Sequence, residues 1–372
     1  MKDLGIYIHI PFCKKKCSYC DFISYSNKNE LIKQYIQAIK KEIEKNKNRA
    51  SNCIITTIYL GGGTPSYIDS SYITKILQTV KQNYNIDKNV EITIEVNPGT
   101  ATRENLQTYK NNGINRLSIG LQETDNTLLK QIGRIHTYEE FIETYKLARD
   151  VGFNNINVDL MIGLPNQTML NVEKSLEKVI DLNPEHISVY SLIVEEGTPI
   201  ERKISCGELI LPNEELERKE YWLVKKELEE AGYNHYEISN FAKENLESKH
   251  NLNCWNQKEY LGFGVAAHSY FNLERYSNVE KIEDYINKQE YIVQEKQNEE
   301  IKMKEYMLLG LRLIDGIKIS NFKNKFGDNP IIVFKNELNK LVAEDLLEVD
   351  LDNIKLTTKG IDLANVVWEE FV

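Results

Sequence analysis

Short apolar runs alternate with longer amphipathic segments along the first 231 residues. The predicted strands are Gly5–Ile10, Ile54–Leu60, Val90–Val96, Arg116–Gly120, Asn155–Met161 and His186–Leu192. The predicted helices are Asn29–Lys45, Ser70–Tyr84, Thr102–Asn111, Thr137–Val151, Thr168–Asp181 and Asn213–Ala231. Runs such as VDLMIG and ISVYSL are almost continuously apolar, which is typical of strands buried on both faces. The pattern therefore predicts a parallel sheet covered by helices.

Six strand–helix units predict an α/β fold, which we interpret as an open, partial (β/α)6 barrel of the TIM type over residues 1–235. Six units are too few for a closed barrel of eight strands, and a doubly wound sheet would show the same local pattern. Cysteines follow the first strand, glycines the second and Asn97 the third. Barrel enzymes carry their chemistry at this end of the strands, so the placement favours the barrel.

The pattern changes after residue 235. A strand near Tyr233–Ile238 leads into a polar stretch, Asn240–Gln257, and a glycine-rich turn at 262–264, within a connecting segment of residues 236–298. Residues 299–372 are predicted to form a smaller α+β, winged-helix-like domain. Its predicted elements are helices at Met303–Leu313, Ile319–Phe326 and Ile332–Ala343, a β wing at Leu346–Leu356 and a last helix from Thr358.

The composition of the 372 residues is that of a soluble protein, with 41% hydrophobic and 27% charged residues. The net charge of −10 disfavours non-specific binding to nucleic acid or to anionic membranes. We find no apolar run of bilayer length and no signal peptide at the N-terminus. The cysteines outside the first loop are scattered, so we do not expect a disulfide framework. We expect a cytoplasmic location, where thiols stay reduced.

Cys13, Cys17 and Cys20 form a C-x3-C-x2-C motif after the first strand. Thiolates are the usual ligands of iron–sulfur clusters, which normally take four. Three thiolates on a four-iron cluster leave one iron open, and that arrangement can bind and reductively cleave S-adenosylmethionine (SAM). The alternative is a zinc site with His9 or a distant group as the fourth ligand.

Polar residues at the other strand ends complete a candidate cofactor site. Gly61–Gly63 would allow a close backbone approach. Glu95 suits an ammonium group, Asp159 suits ribose hydroxyls, and the Arg134 guanidinium matches a carboxylate. Each of these side chains could equally form a structural ion pair or a cap, and the glycines an ordinary tight turn.

Eight segments together resemble the radical SAM superfamily, in the branch that contains oxygen-independent coproporphyrinogen III oxidase and its heme-chaperone relatives. The segments are YIHIPFCKKKCSYCDF, YLGGGTPS, EITIEVNPG, GINRLSIGLQ, IGRIHT, NVDLMIGLP, HNLNCW and YLGFGVAAHSY. The resemblance implies a partial (β/α)6 barrel and a [4Fe–4S] cluster held by the three cysteines. The SAM contacts it implies are Tyr7, Gly63, Thr64, Glu95, Gln122, Arg134 and Asp159.

Two features favour the heme-chaperone side of this branch. The oxidase pattern is C-x3-C-x2-C-x-C, with a fourth cysteine two residues after the third, and this chain has Phe22 at that position. Few residues precede the first strand. The chaperone-like segment HNLNCW supplies His250 and Cys254 as candidate heme ligands. We therefore expect a heme-binding radical SAM protein that passes heme to an acceptor protein and receives electrons from a donor. The alternatives are a radical SAM enzyme that acts on a tetrapyrrole, such as coproporphyrinogen III oxidase, and a zinc-stabilised barrel that binds a partner protein. The role of His250 could also be structural, pinning its segment onto the barrel.

Overall fold

Six parallel strands form the centre of the molecule in the computed structural model, which describes residues 1–288 and 290–372. The strands are β1 (Lys2–Ile10), β2 (Cys53–Gly62), β3 (Ile86–Val96), β4 (Arg116–Gln122), β5 (Ile156–Ile162) and β6 (His186–Ser191). Their helices are α1 (Ile32–Asn46), α2 (Ser70–Asn83), α3 (Arg103–Asn111), α4 (Asn126–Gln131), α5 (Tyr138–Val151), α6 (Met169–Leu182), α7 (Pro199–Ser205) and α8 (Glu214–Glu230). Short 3-10 helices lie at Asn29–Leu31, Lys47–Ala50 and Pro65–Tyr67. The strands lie within a few residues of their predicted positions.

Strands β1 to β6 lie side by side in chain order. A doubly wound sheet would reverse direction at a switch point, so this order distinguishes the two architectures that the sequence left open. The predicted α/β fold, an open partial barrel with a smaller C-terminal domain, is confirmed. The outward side chains of the strands, such as Ile58 and Leu60, are fully buried beneath the helices. The inward positions on the same strand are polar, Thr57 and Tyr59, so the barrel has a polar interior.

Further strands extend the barrel sheet at both edges. They are β7 (Asn234–Glu237), β8 (Asn240–Ala242), β9 (Tyr260–Phe263), β10 (His268–Phe271), β11 (Glu274–Asn278) and β12 (Tyr291–Lys296), accompanied by α9 (Lys249–Trp255) and α10 (Ile282–Lys288). Strand β8 pairs antiparallel with β6, and β9 pairs parallel with β1. The predicted glycine-rich turn at 262–264 is wrong at its start, because Gly262 lies within β9. A Cβ there would lie 2.0 Å from the His268 carbonyl oxygen, so only glycine fits.

The predicted polar stretch Asn240–Gln257 contains β8 and the helix α9. The backbone N–H groups of Lys249 and His250 donate to the Glu91 carboxylate of β3, at 3.2 and 3.1 Å. A carboxylate at a helix N-terminus is favourable for both the unpaired N–H groups and the helix dipole. Helix α9 is therefore attached to the N-terminal end of the barrel, away from the cysteines.

The C-terminal residues form a second hydrophobic core around Met307, Phe322 and Leu341. The elements are α11 (Glu299–Gly310), β13 (Ile317–Lys318), α12 (Ile319–Phe326), α13 (Pro330–Val333), α14 (Lys335–Ala343), β14 (Leu347–Val349), β15 (Asn353–Leu356), α15 (Thr358–Asp362) and α16 (Ala364–Glu369). Strand β15 pairs antiparallel with both β13 and β14. The domain boundaries at 235 and 298 stay predictions. No helix in the described part of the chain is long and apolar enough to cross a membrane.

A buried carboxylate connects the added strands to the barrel. Glu42 of α1 accepts hydrogen bonds from Tyr285, Asn278 and the Gly264 N–H group, and its burial raises the carboxyl pKa to about 7. The Tyr285→Phe variant removes one of these donors from a buried acceptor. We expect the free energy of unfolding to fall by about 1–3 kcal/mol in urea denaturation. Tyr67→Phe, which loses only two exposed hydrogen bonds with Asn29, is the control, and an equal loss in both variants would contradict the prediction.

Candidate functional site

A cavity of about 540 Å³ opens at the carboxyl end of the barrel strands. All three cysteines of the motif line it, together with six of the seven predicted SAM contacts: Gly63, Thr64, Glu95, Gln122, Arg134 and Asp159. Five strands or strand ends and the loop after α4, which carries Arg134, contribute these residues, which is why positions more than a hundred residues apart in sequence meet here. The structure therefore brings together the cysteines and, except for Tyr7, the SAM contacts that the family resemblance implies.

The cysteine loop is bonded to the cavity wall through a polar chain. Arg134 donates from Nη1 to the Cys17 Sγ at 3.5 Å and from Nη2 to the Asn97 Oδ1 at 2.9 Å. Asn97 donates to the Thr64 Oγ1 at 2.9 Å, and Thr64 donates to the Cys13 Sγ at 3.5 Å. Donors to ligating sulfurs orient a metal site and tune it. Asn97 directly follows the third strand in the sequence, but its role as the bridge depends on tertiary contacts.

Burial raises the pKa of the Cys13 thiol, and it raises the pKa of Cys20 to about 11. Thiols in this environment are protonated at neutral pH, and ligation to a metal requires loss of those protons. Cys13 is buried, whereas Cys17 and Cys20 are partly exposed. Across residues 1–288 and 290–372, no group of three or more His, Cys, Asp and Glu side chains is arranged to hold a single metal ion.

The glycines allow β2 to end against the cysteine loop. Gly62 has a φ of +112°, and a Cβ there would lie 2.4 Å from the His9 Nδ1. A Cβ on Gly63 would lie 2.8 Å from the backbone of Pro11 and 3.0 Å from the Cys13 Sγ. The N–H groups of both glycines are already donated, to Glu95 and to Ile10. These amides therefore hold the protein together and are not free for a ligand.

Two atoms of the predicted SAM contacts that line the cavity have no hydrogen-bond partner within the described chain. They are the Oε1 of Gln122, an acceptor, and the Nε of Arg134, a donor. Gln122 also has a φ of +68°, a conformation that is strained for a residue with a side chain and that marks functional sites. A buried donor and a buried acceptor without partners are costly, and a polar ligand would satisfy both. The donor set thus fits SAM, with its amino, carboxylate and hydroxyl groups.

Tyr7 is the predicted SAM contact that lies outside the cavity lining as described. Its hydroxyl donates to the His9 Nδ1 at 3.0 Å, because the His9 Nε2 donates to the Ile23 carbonyl at 2.8 Å. Tyr7 and His9 therefore fix the backbone at Ile23, three residues after the third cysteine. Since both nitrogens of His9 are engaged, the histidine would have to give up one of these bonds to serve as the zinc ligand of the alternative interpretation. Contact of Tyr7 with SAM stays a prediction.

The candidate heme ligands lie apart from this cavity. His250, 7% exposed, forms a hydrogen bond through Nδ1 with the Thr57 Oγ1 at 2.9 Å, and its ring lies 5.2 Å from that of Tyr59. Burial lowers the pKa of His250 to about 4 and raises the pKa of Cys254 to about 11. Helix α9 thus places His250 inside the opposite end of the barrel. Both ligand assignments stay predictions.

Sequence reasoning missed several residues of the cavity wall. Tyr59 donates to Glu95 at 3.0 Å, and Tyr190 and Ser118 line the wall beside Asp159. The inward alternation of Thr57 and Tyr59 along β2 is a signal that could have identified Tyr59. Glu123, beside Gln122, turns away from the cavity, because it accepts bonds from Ser175 and Gln167.

Comparison with known families agrees with this geometry. A family model described as the radical SAM superfamily matches residues 7–179, and one described as the HemN C-terminal domain matches residues 298–363. The solved structure of coproporphyrinogen III oxidase (HemN) from Escherichia coli, described as a radical SAM enzyme, has a TM-score of 0.86 at 22% identity. That match covers 100% of this chain and 90% of that chain, and at this identity it shows the fold. Fold and site together define a radical SAM barrel with a HemN-type C-terminal domain.

Two curated relatives narrow the assignment. The heme chaperone HemW of Bacillus subtilis (strain 168) is 35% identical, over 98% of this chain and 98% of its own length. The heme chaperone HemW of Lactococcus lactis is 34% identical, over 100% of this chain and 98% of its own length. The chain therefore belongs to the HemW family of radical SAM proteins.

Proposed function

We propose that this protein is a radical SAM heme chaperone, which binds a [4Fe–4S] cluster and SAM, takes up heme and passes it to an acceptor protein. The observation that carries the proposal is the single cavity that unites three thiols with the unpaired Gln122 and Arg134 atoms. The nearly full-length similarity to relatives named heme chaperones supports the choice of cargo.

In this proposal Cys13, Cys17 and Cys20 hold the cluster. Glu95 accepts from the amino group of SAM, and the free Nε of Arg134 donates to its carboxylate. When bound, a cluster with one open iron supplies the electron for reductive cleavage of SAM. The protein contributes position and restricted access of water, because the bonded loop and the barrel wall enclose these groups. The unpaired Oε1 of Gln122 would accept a hydrogen bond from the same ligand.

Heme binding places a demand on α9. The buried His250 is neutral and is bonded to Thr57. Ligation of heme iron by this side chain therefore requires α9 to move away from Glu91, to which its first N–H groups donate. Six free cysteines suit the reducing cytoplasm that the proposal assumes. The proposal also includes an electron donor, which reduces the cluster, and an acceptor protein, which receives the heme.

A second candidate is a radical SAM enzyme that acts on a tetrapyrrole, such as coproporphyrinogen III oxidase. The observation that favours it is the cavity mouth, where Phe22 and Ile193 are 64% and 69% exposed beside the cysteine loop. Exposed apolar side chains around a cavity suit a flat apolar ligand. Incubation with coproporphyrinogen, SAM and a reductant tests this candidate, and product above a cluster-free control would support it.

Anaerobic heme titration tests the chaperone proposal directly. We expect a saturable Soret shift in the reconstituted protein, and a shift that is altered or lost in His250→Ala and in Cys254→Ala. Cys206→Ala is the matched control, because this cysteine is exposed and lies outside both sites. No Soret shift in the wild type would contradict heme binding. A shift that both single variants leave unchanged would contradict the ligand assignment and not the binding.

A further inference from the structure

A chain of buried and partly buried hydrogen bonds runs through the barrel interior from α9 to Asp159. The Ser248 N–H group at the start of α9 donates to the Tyr236 hydroxyl at 3.3 Å, and that hydroxyl lies 2.8 Å from the His186 Nε2. The His186 Nδ1 lies 2.6 Å from the Asn157 Oδ1. The Asn157 Nδ2 donates to the Asp159 Oδ1 at 2.7 Å. His186 and Asn157 are 0% and 2% exposed, so water does not replace these partners.

The direction of each bond follows from the carboxylate at its end. Asn157 must present its N–H groups to Asp159, since its carbonyl oxygen would be repelled there. Its Oδ1 is therefore an acceptor, and His186 must donate to it from Nδ1. Burial lowers the pKa of His186 well below its usual value, so the ring is neutral and its Nε2 accepts from Tyr236. Every donor in the chain thus points toward Asp159.

This polarity matters because Asp159 is a carboxylate in the wall of the cofactor cavity. Burial raises its pKa, and the bonds from Asn157 and Ser118 oppose that rise. One oxygen of Asp159 is fixed by Asn157, while Ser118 approaches the other at 3.3 Å. A carboxylate held in one orientation can accept from ribose hydroxyls without losing side-chain freedom on binding.

We propose that His186 is a positioning residue for SAM: through Asn157 it orients the Asp159 carboxylate that receives the ribose. This inference rests on the proposed function of the cavity. His186 is not among the residues that line the cavity, and in the hydrogen-bond chain Asn157 lies between its ring and Asp159. A purely structural histidine would fill the same space, so the test must separate the donated hydrogen bond from the shape of the ring.

Three variants make that separation. His186→Phe keeps the ring shape and removes the donor to Asn157. His186→Asn places an amide N–H near the position of the imidazole Nδ1 and retains the donor. His235→Phe is the matched control, because His235 is a buried histidine of strand β7 that bonds to Tyr221 and the Ile238 carbonyl and takes no part in this hydrogen-bond chain. The dissociation constant for SAM is measured by equilibrium dialysis on anaerobically reconstituted protein, and KM and kcat are measured from 5′-deoxyadenosine release.

For His186→Phe we expect the dissociation constant and KM to rise about tenfold with kcat little changed, as for loss of support to a charged acceptor. His186→Asn should stay within about threefold of wild type, and His235→Phe should match wild type. Unchanged affinity in His186→Phe, or equal losses in the Phe and Asn variants, would overturn the proposal. Wild-type protein that binds no SAM would instead refute the proposed function and this inference with it.

A measurement on the wild-type protein does not depend on the SAM affinities of the variants. Nitrogen-15 NMR of histidine-labelled protein reports which ring nitrogen of His186 carries the proton. We expect the neutral Nδ1–H form, assigned by its loss in His186→Asn. The Nε2–H form would reverse the bond to Asn157 and overturn the proposal, whatever the affinities.

Discussion

Replacing Cys17 with alanine is expected to abolish SAM cleavage while leaving the barrel folded. The thiol lines the cavity with Cys13 and Cys20, and a cluster deprived of one of three ligands should not persist. In the cluster-free protein the Cys17 Sγ accepts only a 3.5 Å bond from Arg134, so its loss should cost less than about 1 kcal/mol of folding free energy. Iron and sulfide analysis, 5′-deoxyadenosine release and thermal unfolding measure these three effects.

The matched control for this experiment is Cys206→Ala, since Cys206 is the exposed cysteine at the end of α7. It should keep wild-type iron content and cleavage. Retention of 5′-deoxyadenosine release in Cys17→Ala would show that Cys17 is not a ligand. Zinc without iron and sulfide in the wild type would favour the structural alternative, although His9 is engaged by Tyr7 and Ile23.

The barrel could be predicted from sequence because its strands are buried on both faces. Strand β5, with the sequence INVDLMI, is buried at every position except the half-buried Asp159, and such strands leave an almost continuous apolar run. The opposite holds for β9, whose four residues include a glycine and follow a polar segment. Its strand character comes from pairing with β1, which a local pattern does not contain. Helix α9 is similar, since seven residues are too few for a clear helical period.

The candidate site was predictable to the extent that its residues stand at strand ends. Glu95 and Asp159 are recognisable as candidate site residues because a carboxylate in a buried apolar strand is costly unless it has a partner. The network that supports them was not predictable. Asn157 and His186 resemble ordinary polar substitutions in strands, and their partnership depends on the register of β5 with β6, which places these two residues opposite each other. Polar barrel interiors of this kind become visible only in three dimensions.

Glu95 is expected to make SAM binding depend on pH. Its carboxylate accepts from Tyr59 and from the Gly62 N–H group, both at 3.0 Å. Burial, followed by the negative charge of Asp159, raises the pKa of Glu95 from its ordinary value to about 7. A protonated Glu95 is a poor partner for the amino group of SAM, whereas the carboxylate attracts it. Affinity should therefore rise with pH up to about 7 and level off above it.

Glu95→Gln should remove this pH step and weaken SAM binding about 50-fold at pH 8, since a charge-assisted acceptor is lost from a desolvated site. The matched control is Glu123→Gln, which replaces another buried carboxylate, one that accepts from Ser175 and Gln167 away from the cavity. Equilibrium dialysis between pH 5.5 and 8 distinguishes the two. A step that persists in Glu95→Gln would assign the titration to another group, with Asp159 on β5 the nearest carboxylate that faces it. If the step disappears only in Glu95→Gln, the amino group of SAM lies against β3, and the ribose is left to Asp159 across the cavity.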